Sequence, residues 1–334
     1  MNPSPLPCRA AALALALSLT LSFPAAALLQ SDGSGVSSAA GAVENHPPIA
    51  KNMELDTYKN VSITGYFDAM DHEGAPLTFR ITSDPVRGSL SPAEDGSGRF
   101  VYTPYENKTG RDRFTYVVID EAGNLSPEAH VTIRIRKPDT YVTYADLDRN
   151  PAHKAAVRLA EKNILVGQSV NGQYFFHPEQ AVSRAQFLTM AMAATGTEPM
   201  EGVTLTGFSD DGDIPAWAKG SVSAALRAGV VNGGRDSTGA PVFEAERTIT
   251  RAEAAVMLDR LLNITDVPAE VFSPDGGRHW ASQAAANLTA SGVLRPEEAA
   301  PSPLSQTLTL EDAALLLDGA LEIMAQRDPL WFGQ

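Results

Sequence analysis

Two hydrophobic periodicities divide the chain. From about Pro47 to Lys137 apolar and polar positions alternate, as in Val61-Ser62-Ile63-Thr64, Leu77-Thr78-Phe79-Arg80-Ile81, Phe100-Val101-Tyr102, Phe114-Thr115-Tyr116-Val117-Val118 and Val131-Thr132-Ile133-Arg134-Ile135. Turn signals at His72-Glu73-Gly74, Asp95-Gly96 and Ala122-Gly123-Asn124 separate these β-branched and aromatic runs. About seven short strands in about 90 residues predict a two-sheet sandwich over residues 47–137.

After Lys137-Pro138 the pattern turns helical and repeats itself. Tyr144-Ala145-Asp146, Phe208-Ser209-Asp210 and Phe272-Ser273-Pro274-Asp275 open three segments at intervals of 64 residues. A first helix is expected after each opening, ending near Asn163-Ile164, Gly229-Val230 and Gly292-Val293. Second helices are expected from Ser183-Arg184-Ala185-Gln186, Thr250-Arg251-Ala252-Glu253 and Thr309-Leu310-Glu311-Asp312, where Ser or Thr followed three residues later by Gln, Glu or Asp makes a capping box. The units span residues 141–197, 205–263 and 269–325. One helix–loop–helix unit cannot bury its apolar face alone, so three are expected to pack together.

Composition locates the chain outside the cytoplasm. Arg9 is the only charge in residues 1–27; an apolar run, Ala10–Leu21, follows, then Phe23-Pro24-Ala25-Ala26-Ala27. This is the pattern of a cleaved signal peptide, and the run is shorter than the roughly 20 residues that span a bilayer. The only cysteine, Cys8, leaves with it, so neither disulfides nor thiol chemistry are expected. Residues 28–46, rich in Ser, Gly and Ala, read as a flexible linker. No later segment is apolar enough to span a membrane. With 26 basic and 40 acidic residues the net charge is -14, about -15 without Arg9, and no basic cluster appears, which argues against a nucleic-acid partner.

The alternating segment resembles bacterial cadherin-like or Ig-like repeats in Asp71-His72-Glu73-Gly74-Ala75-Pro76-Leu77-Thr78-Phe79, Phe100-Val101-Tyr102-Thr103-Pro104 and Gly110-Arg111-Asp112-Arg113-Phe114-Thr115-Tyr116-Val117-Val118-Ile119-Asp120. The three helical segments resemble S-layer homology (SLH) modules. The resemblance implies a multidomain chain: an all-β Ig-like sandwich followed by an all-α pseudo-trimer of three SLH repeats, the third degenerate. It also implies a partner, the secondary cell-wall polysaccharide of a Gram-positive wall, often carrying anionic pyruvylated sugars.

Within that family pattern, Arg184 and Arg251 are the candidate anion ligands. Each stands at the first position of a helix, where the macrodipole disfavours a cation by roughly 0.3–1 kcal/mol. An incoming anion would explain them, gripped by a forked guanidinium beside free helix N–H groups. The alternative is an ion pair with an acid of a neighbouring repeat. Trp217 and Trp280 hold the family's aromatic position, to stack on sugar or to pin a helix into the core. Asp146 and Asp210 are expected to cap the first helices or to bind sugar hydroxyls. Gly167 and Gly233 are expected to serve a tight loop, with direct ligand contact as the other reading.

Departures weaken two units: the first has Pro151-Ala152-His153 where tryptophan is expected, and the third has Leu310 for the arginine and Pro296 for the loop glycine. The third groove is therefore expected to bind weakly. Asp68, Asp71, Glu73, Asp112 and Asp120 offer oxygen ligands for Ca²⁺ but form no compact metal loop, and turn capping is their commoner role; no cofactor is expected. Asn60, Asn107 and Asn263 begin N-x-Ser/Thr triplets, read as chance. No nucleophile elbow, metal spacing or carboxylate pair points to an enzyme. The expectation is a wall anchor displaying an Ig-like spacer or adhesion domain, with an S-layer subunit or a peptidoglycan binder as alternatives.

Overall fold

The computed structural model describes residues 45–272 and 276–327. The expected signal peptide with Cys8, the linker as far as residue 44, and Ser273-Pro274-Asp275 of the third opening lie outside the described residues.

The N-terminal half is a β-sandwich. Strands β2 (Met53–Tyr58), β9 (Ala129–Arg136), β8 (Gly110–Ile119) and β5 (Thr78–Ser83) form one sheet in that order, with β2 parallel to β9 and the other pairs antiparallel. Strands β3 (Ile63–Tyr66), β7 (Arg99–Pro104) and β6 (Gly88–Pro92) form another, and β1 (Ile49–Ala50) pairs with β4 (Ala69–Met70). Alternation decides the core: Phe114, Tyr116 and Val118 of β8 and Val131, Ile133 and Ile135 of β9 are buried together. Phe67 fills the centre, its ring 4.7 Å from Phe100 and 4.5 Å from Tyr116.

The five carboxylates considered for Ca²⁺ are engaged in this fold. Buried Asp112 accepts from the Val86 and Arg87 N–H groups and from Tyr102 Oη at 2.7 Å. Asp120 holds Asn124 and Asn45, Asp71 accepts from the Glu73 and Ala75 N–H groups, Asp68 pairs with Lys51, and Glu73 meets His46. Asn60, Asn107 and Asn263, which each begin an N-x-Ser/Thr triplet, take left-handed backbone (φ 64°, 60° and 47°), which asparagine tolerates well.

The C-terminal half contains α1 (His153–Glu161), α2 (Arg184–Ala194), α3 (Ala216–Arg227), α4 (Arg251–Leu262), α5 (Ala269–Phe272), α6 (Ser282–Ala290), α7 (Pro301–Leu304) and α8 (Leu310–Arg327). It is not the all-α assembly that the resemblance implied. Two antiparallel hairpins, β10 (Gln168–Val170) with β11 (Gln173–Phe175) and β12 (Gly234–Arg235) with β13 (Pro241–Val242), carry Phe176 and Phe243 into the core. They are too short to show a period.

Its three units interlock in a ring. The second helices α2, α4 and α8 touch one another pairwise, while each first helix packs on the preceding unit: α3 on α2, α6 on α4, and α1 on α8. At the helix starts, Ile249 N–H donates to the Val182 carbonyl, Leu308 to Ile249 and Val182 to Leu308, at 2.9–3.0 Å. A second cycle runs from Arg184 N–H to Arg247, Arg251 to Gln306 and Leu310 to Gln180, at 2.8–2.9 Å. Every seam is therefore closed by the same backbone exchange, which satisfies amides a helix start leaves orphaned.

The two halves join through a continuous apolar cluster that takes Tyr58 and Val61 into the helical core. Tyr58 Oη donates to Glu161 at 2.5 Å, and Glu161 also accepts from Asp139 N–H. Asp56 pairs with both Arg136 and Lys154.

Candidate ligand grooves

Each second helix is capped as its sequence indicates. Ser183 with Gln186, and Thr250 with Glu253, form reciprocal capping boxes, and Thr309 exchanges hydrogen bonds with Asp312. The helix starts are not free, however. The first N–H groups of α2 and α4 already donate across the seam, and Ala185 N–H donates to the Ala245 carbonyl. The backbone amides of Arg184, Ala185 and Arg251, expected to be free for an anion, are thus consumed by ring closure.

Both arginines are only 9% exposed. Arg184 Nη1 donates to Glu253 at 3.0 Å and its guanidinium lies 5.2 Å from the Phe243 ring centre. Arg251 donates to Asp312 at 2.7 Å and Glu298 at 3.3 Å. Each is paired with acids of the next unit. Burial pulls the Arg184 pKa below its ordinary value, against the opposing pull of Glu253. Burial raises the Glu253 pKa, but Arg247, the Thr250 amide and Arg184 outweigh it and leave the carboxyl below the usual range. The Nε atoms of Arg184 and Arg251 are buried without a hydrogen-bond partner among the described residues.

Asp146 and Asp210 do not cap the first helices, which start without side-chain caps at Ala152 and Pro215. Asp146 instead accepts from the N–H groups of Phe176 (2.9 Å) and His177 (2.7 Å), and Asp210 from Phe243 (2.9 Å) and Glu244 (2.7 Å). His177 and Glu244 both have positive φ, so each carboxylate clamps a tight turn that leads into a second helix. The sequence could not show this, because donor and acceptor stand about thirty residues apart.

Gly167 and Gly233 have φ of 77° and 72°, and a Cβ on either would lie 2.5 Å from a carbonyl oxygen, of Phe175 or Val242. Only glycine lets these loops close on their hairpins.

Trp217 and Trp280 are 56% and 65% exposed, so neither pins a helix into the core. Trp217 lines a cavity of about 430 Å³ with the Ile164–Gly167 loop, His177, Gln186 and Leu310. That cavity draws on all three units. Leu310 of the third unit faces the loop of the first, just as Arg184 faces the second unit and Arg251 the third, where it lines a space of about 180 Å³ with Val293, Arg295 and Glu298. Leu310 therefore removes a cation from the groove of the first unit's loop, not from one built within its own unit.

Sequence reasoning missed Arg247, which binds Glu253 at 2.6 Å and Glu244 at 3.0 Å. Its only local signal is the three-residue spacing from Glu244, and that spacing means little in a loop.

Two family models match parts of this chain. Residues 45–134 match the bacterial Ig domain. Residues 207–255 match the S-layer homology domain. The chain is similar to an amylopullulanase of Thermoanaerobacterium thermosulfurigenes, 31% identical over 131 residues, and to exoglucanase XynX of Acetivibrio thermocellus, 29% identical over 123 residues. These matches cover 38% and 36% of this chain but only 7% and 11% of those proteins. Among solved structures, the SrpA adhesin of Streptococcus sanguinis matches 31% of this chain and 66% of its own at 19% identity and a TM-score of 0.23. An S-layer homology domain implies association with the cell surface or wall, and no helix of the described residues is long and apolar enough to cross a membrane.

Proposed function

We propose that this chain is an exported, non-catalytic anchor whose three helical units are SLH repeats arranged as a pseudo-trimer. It grips the secondary polysaccharide of a bacterial cell wall, a pyruvylated one on this reading, and holds the Ig-like domain outward as a spacer or adhesion module. The 64-residue repeat and the closed ring of seam hydrogen bonds support the three-repeat reading. The enzyme names of the two relatives belong to proteins many times longer than the matched region.

The observation that carries the proposal is Trp217, more than half exposed on the wall of the 430 Å³ groove. A solvent-facing indole costs apolar exposure that folding alone would remove, and its face is a stacking platform for a sugar ring. Cyclic order then sorts the grooves. The first unit's loop meets Trp217 and Leu310, so it offers an aromatic without a cation. The third unit's loop meets Arg251, but the tryptophan position of the first unit is vacant. The second unit's loop has Gly233, Arg184 and, by the same offset, Trp280. That middle groove is the best equipped for an anionic sugar, and the orphaned Nε–H of Arg184 is a donor whose desolvation awaits an acceptor.

The test is a pull-down of the purified protein on cell-wall sacculi, with and without acid extraction of the secondary polymer. Trp280→Ala and Trp217→Ala run beside wild type, with folding checked by circular dichroism. Binding that disappears with the polymer and weakens most in Trp280→Ala supports the reading. Binding that survives extraction points to peptidoglycan, and no binding at all overturns the anchor.

A further inference from the structure

The antiparallel pairing of β1 with β4 sets Ile49 against Met70 and Ala50 against Ala69. Continuing that register beyond its last pair brings residue 46 opposite residue 73, and the side chains follow. His46 Nδ1 lies 2.7 Å from Glu73 Oε1, and its ring centre is 5.2 Å from that of His72. One ligand atom from each of His46, His72 and Glu73 falls within 4.8 Å of the others.

We propose that these three residues form a binding site for a borderline divalent metal ion of the Zn²⁺ class. Two imidazoles and one carboxylate are a set such ions favour, with a fourth position left for water. Bonds of about 2.0–2.2 Å require donor atoms to stand roughly 3.3 Å apart, a shift that rotation of exposed side chains supplies. To ligate through Nδ1, the atom that faces Glu73, His46 must present that lone pair and carry its hydrogen on Nε2, and the carboxylate must be ionised.

The scaffold is partly organised in advance. Asp71 Oδ1 accepts from the Glu73 N–H at 3.1 Å and the Ala75 N–H at 2.7 Å, which fixes the turn carrying both His72 and Glu73. Pro47 and Pro48 stiffen the backbone that follows His46. A metal here would clip the first residues of the sandwich to the 71–75 turn, at the place where the chain enters the domain. Of the three, only Glu73 figured among the Ca²⁺ candidates; the imidazoles redirect the preference from Ca²⁺ to a softer ion.

The experiment is isothermal titration of the purified protein with ZnCl₂ at neutral pH, after removal of metal with a chelator. The expected result is one saturable equivalent, with affinity falling about tenfold or more in His46→Ala, His72→Ala and Glu73→Gln, since even outer-shell partners are worth about 10–100-fold. The protein loaded with Co²⁺ should show a visible absorption band that His72→Ala abolishes. All three residues lie at the surface, the Glu73 side chain with 20% of its area accessible, so the variants are expected to keep the wild-type circular dichroism. Zinc binding that stays within twofold of wild type in all three variants overturns the site, placing the ion on the other histidines, as does a titration without a saturable equivalent.

Discussion

Glu253 joins two units through its two oxygens, one accepting from Arg184 at 3.0 Å across the seam and the other from Thr250 N–H at 3.1 Å in its own helix cap. One carboxylate thus ends a helix and locks its neighbour. Arg184→Ala is expected to lower the unfolding free energy by roughly 1.5–3 kcal/mol, the usual value of a charged hydrogen bond. Glu253→Ala should cost more, because the cap is lost along with the partners of Arg184 and Arg247. Urea midpoints at constant m-value measure both, and equal effects would contradict the double role.

The tryptophans should behave in the opposite way. Trp217→Ala and Trp280→Ala remove exposed rings, so stability should move by no more than about 0.5 kcal/mol. Wall binding should nonetheless fall. A thermal melt beside the pull-down separates these outcomes, and a large loss of stability would make the rings structural.

Gly167→Ala and Gly233→Ala combine positive φ with a Cβ placed 2.5 Å from a carbonyl oxygen. Strain of about 1–3 kcal/mol is expected from the backbone alone, with the clash adding to it. Gly172→Ala is the control, since that glycine shares the positive φ but has open space around it. Thermal unfolding should rank the control as clearly milder.

Asp146→Ala and Asp210→Ala each strip the acceptor from two backbone N–H groups. A loss of about 1–3 kcal/mol is expected for donors left unpaired. Hydrogen exchange should locate the damage at Phe176 and His177, or at Phe243 and Glu244. Faster exchange confined to the first helices would instead restore the capping role.

His153 gives the protein a mild acid sensitivity. Burial holds its pKa below the ordinary value near 6.5, outweighing the opposing pull of Asp148. The unfolded chain then binds more protons than the folded one, so stability falls as pH drops from about 6.5 toward the folded pKa and levels off below it. His153→Gln should flatten that slope in denaturant titrations across the window. Asp211, held at about 2 by hydrogen bonds from Lys219 and Thr206, acts in a separate range: its contribution is lost only as pH falls from 3.8 toward 2.

The sequence alone determined what short-range rules can encode. Alternation marked the strands of the sandwich, Ser183 and Thr250 marked helix starts, and aromatic openings 64 residues apart gave the helical half its period. Caps, periods and left-handed glycines act within a few residues, so they can be read without knowing what lies across the core. Tertiary structure decided where each unit's residues were spent. Arg184 at a helix start fits both a ligand site and an ion pair until the ring sets it against Glu253 of the next unit. Asp146 next to an opening aromatic fits a helix cap until the hairpin returns Phe176 and His177 to it. Leu310 became a feature of the first unit's groove because each second helix points its first residue forward round the ring. The Asp146 clamp spans about thirty residues within one unit, and the seam exchanges join partners about 55–67 residues apart or, where the ring closes, well over a hundred, and no local pattern carries that information.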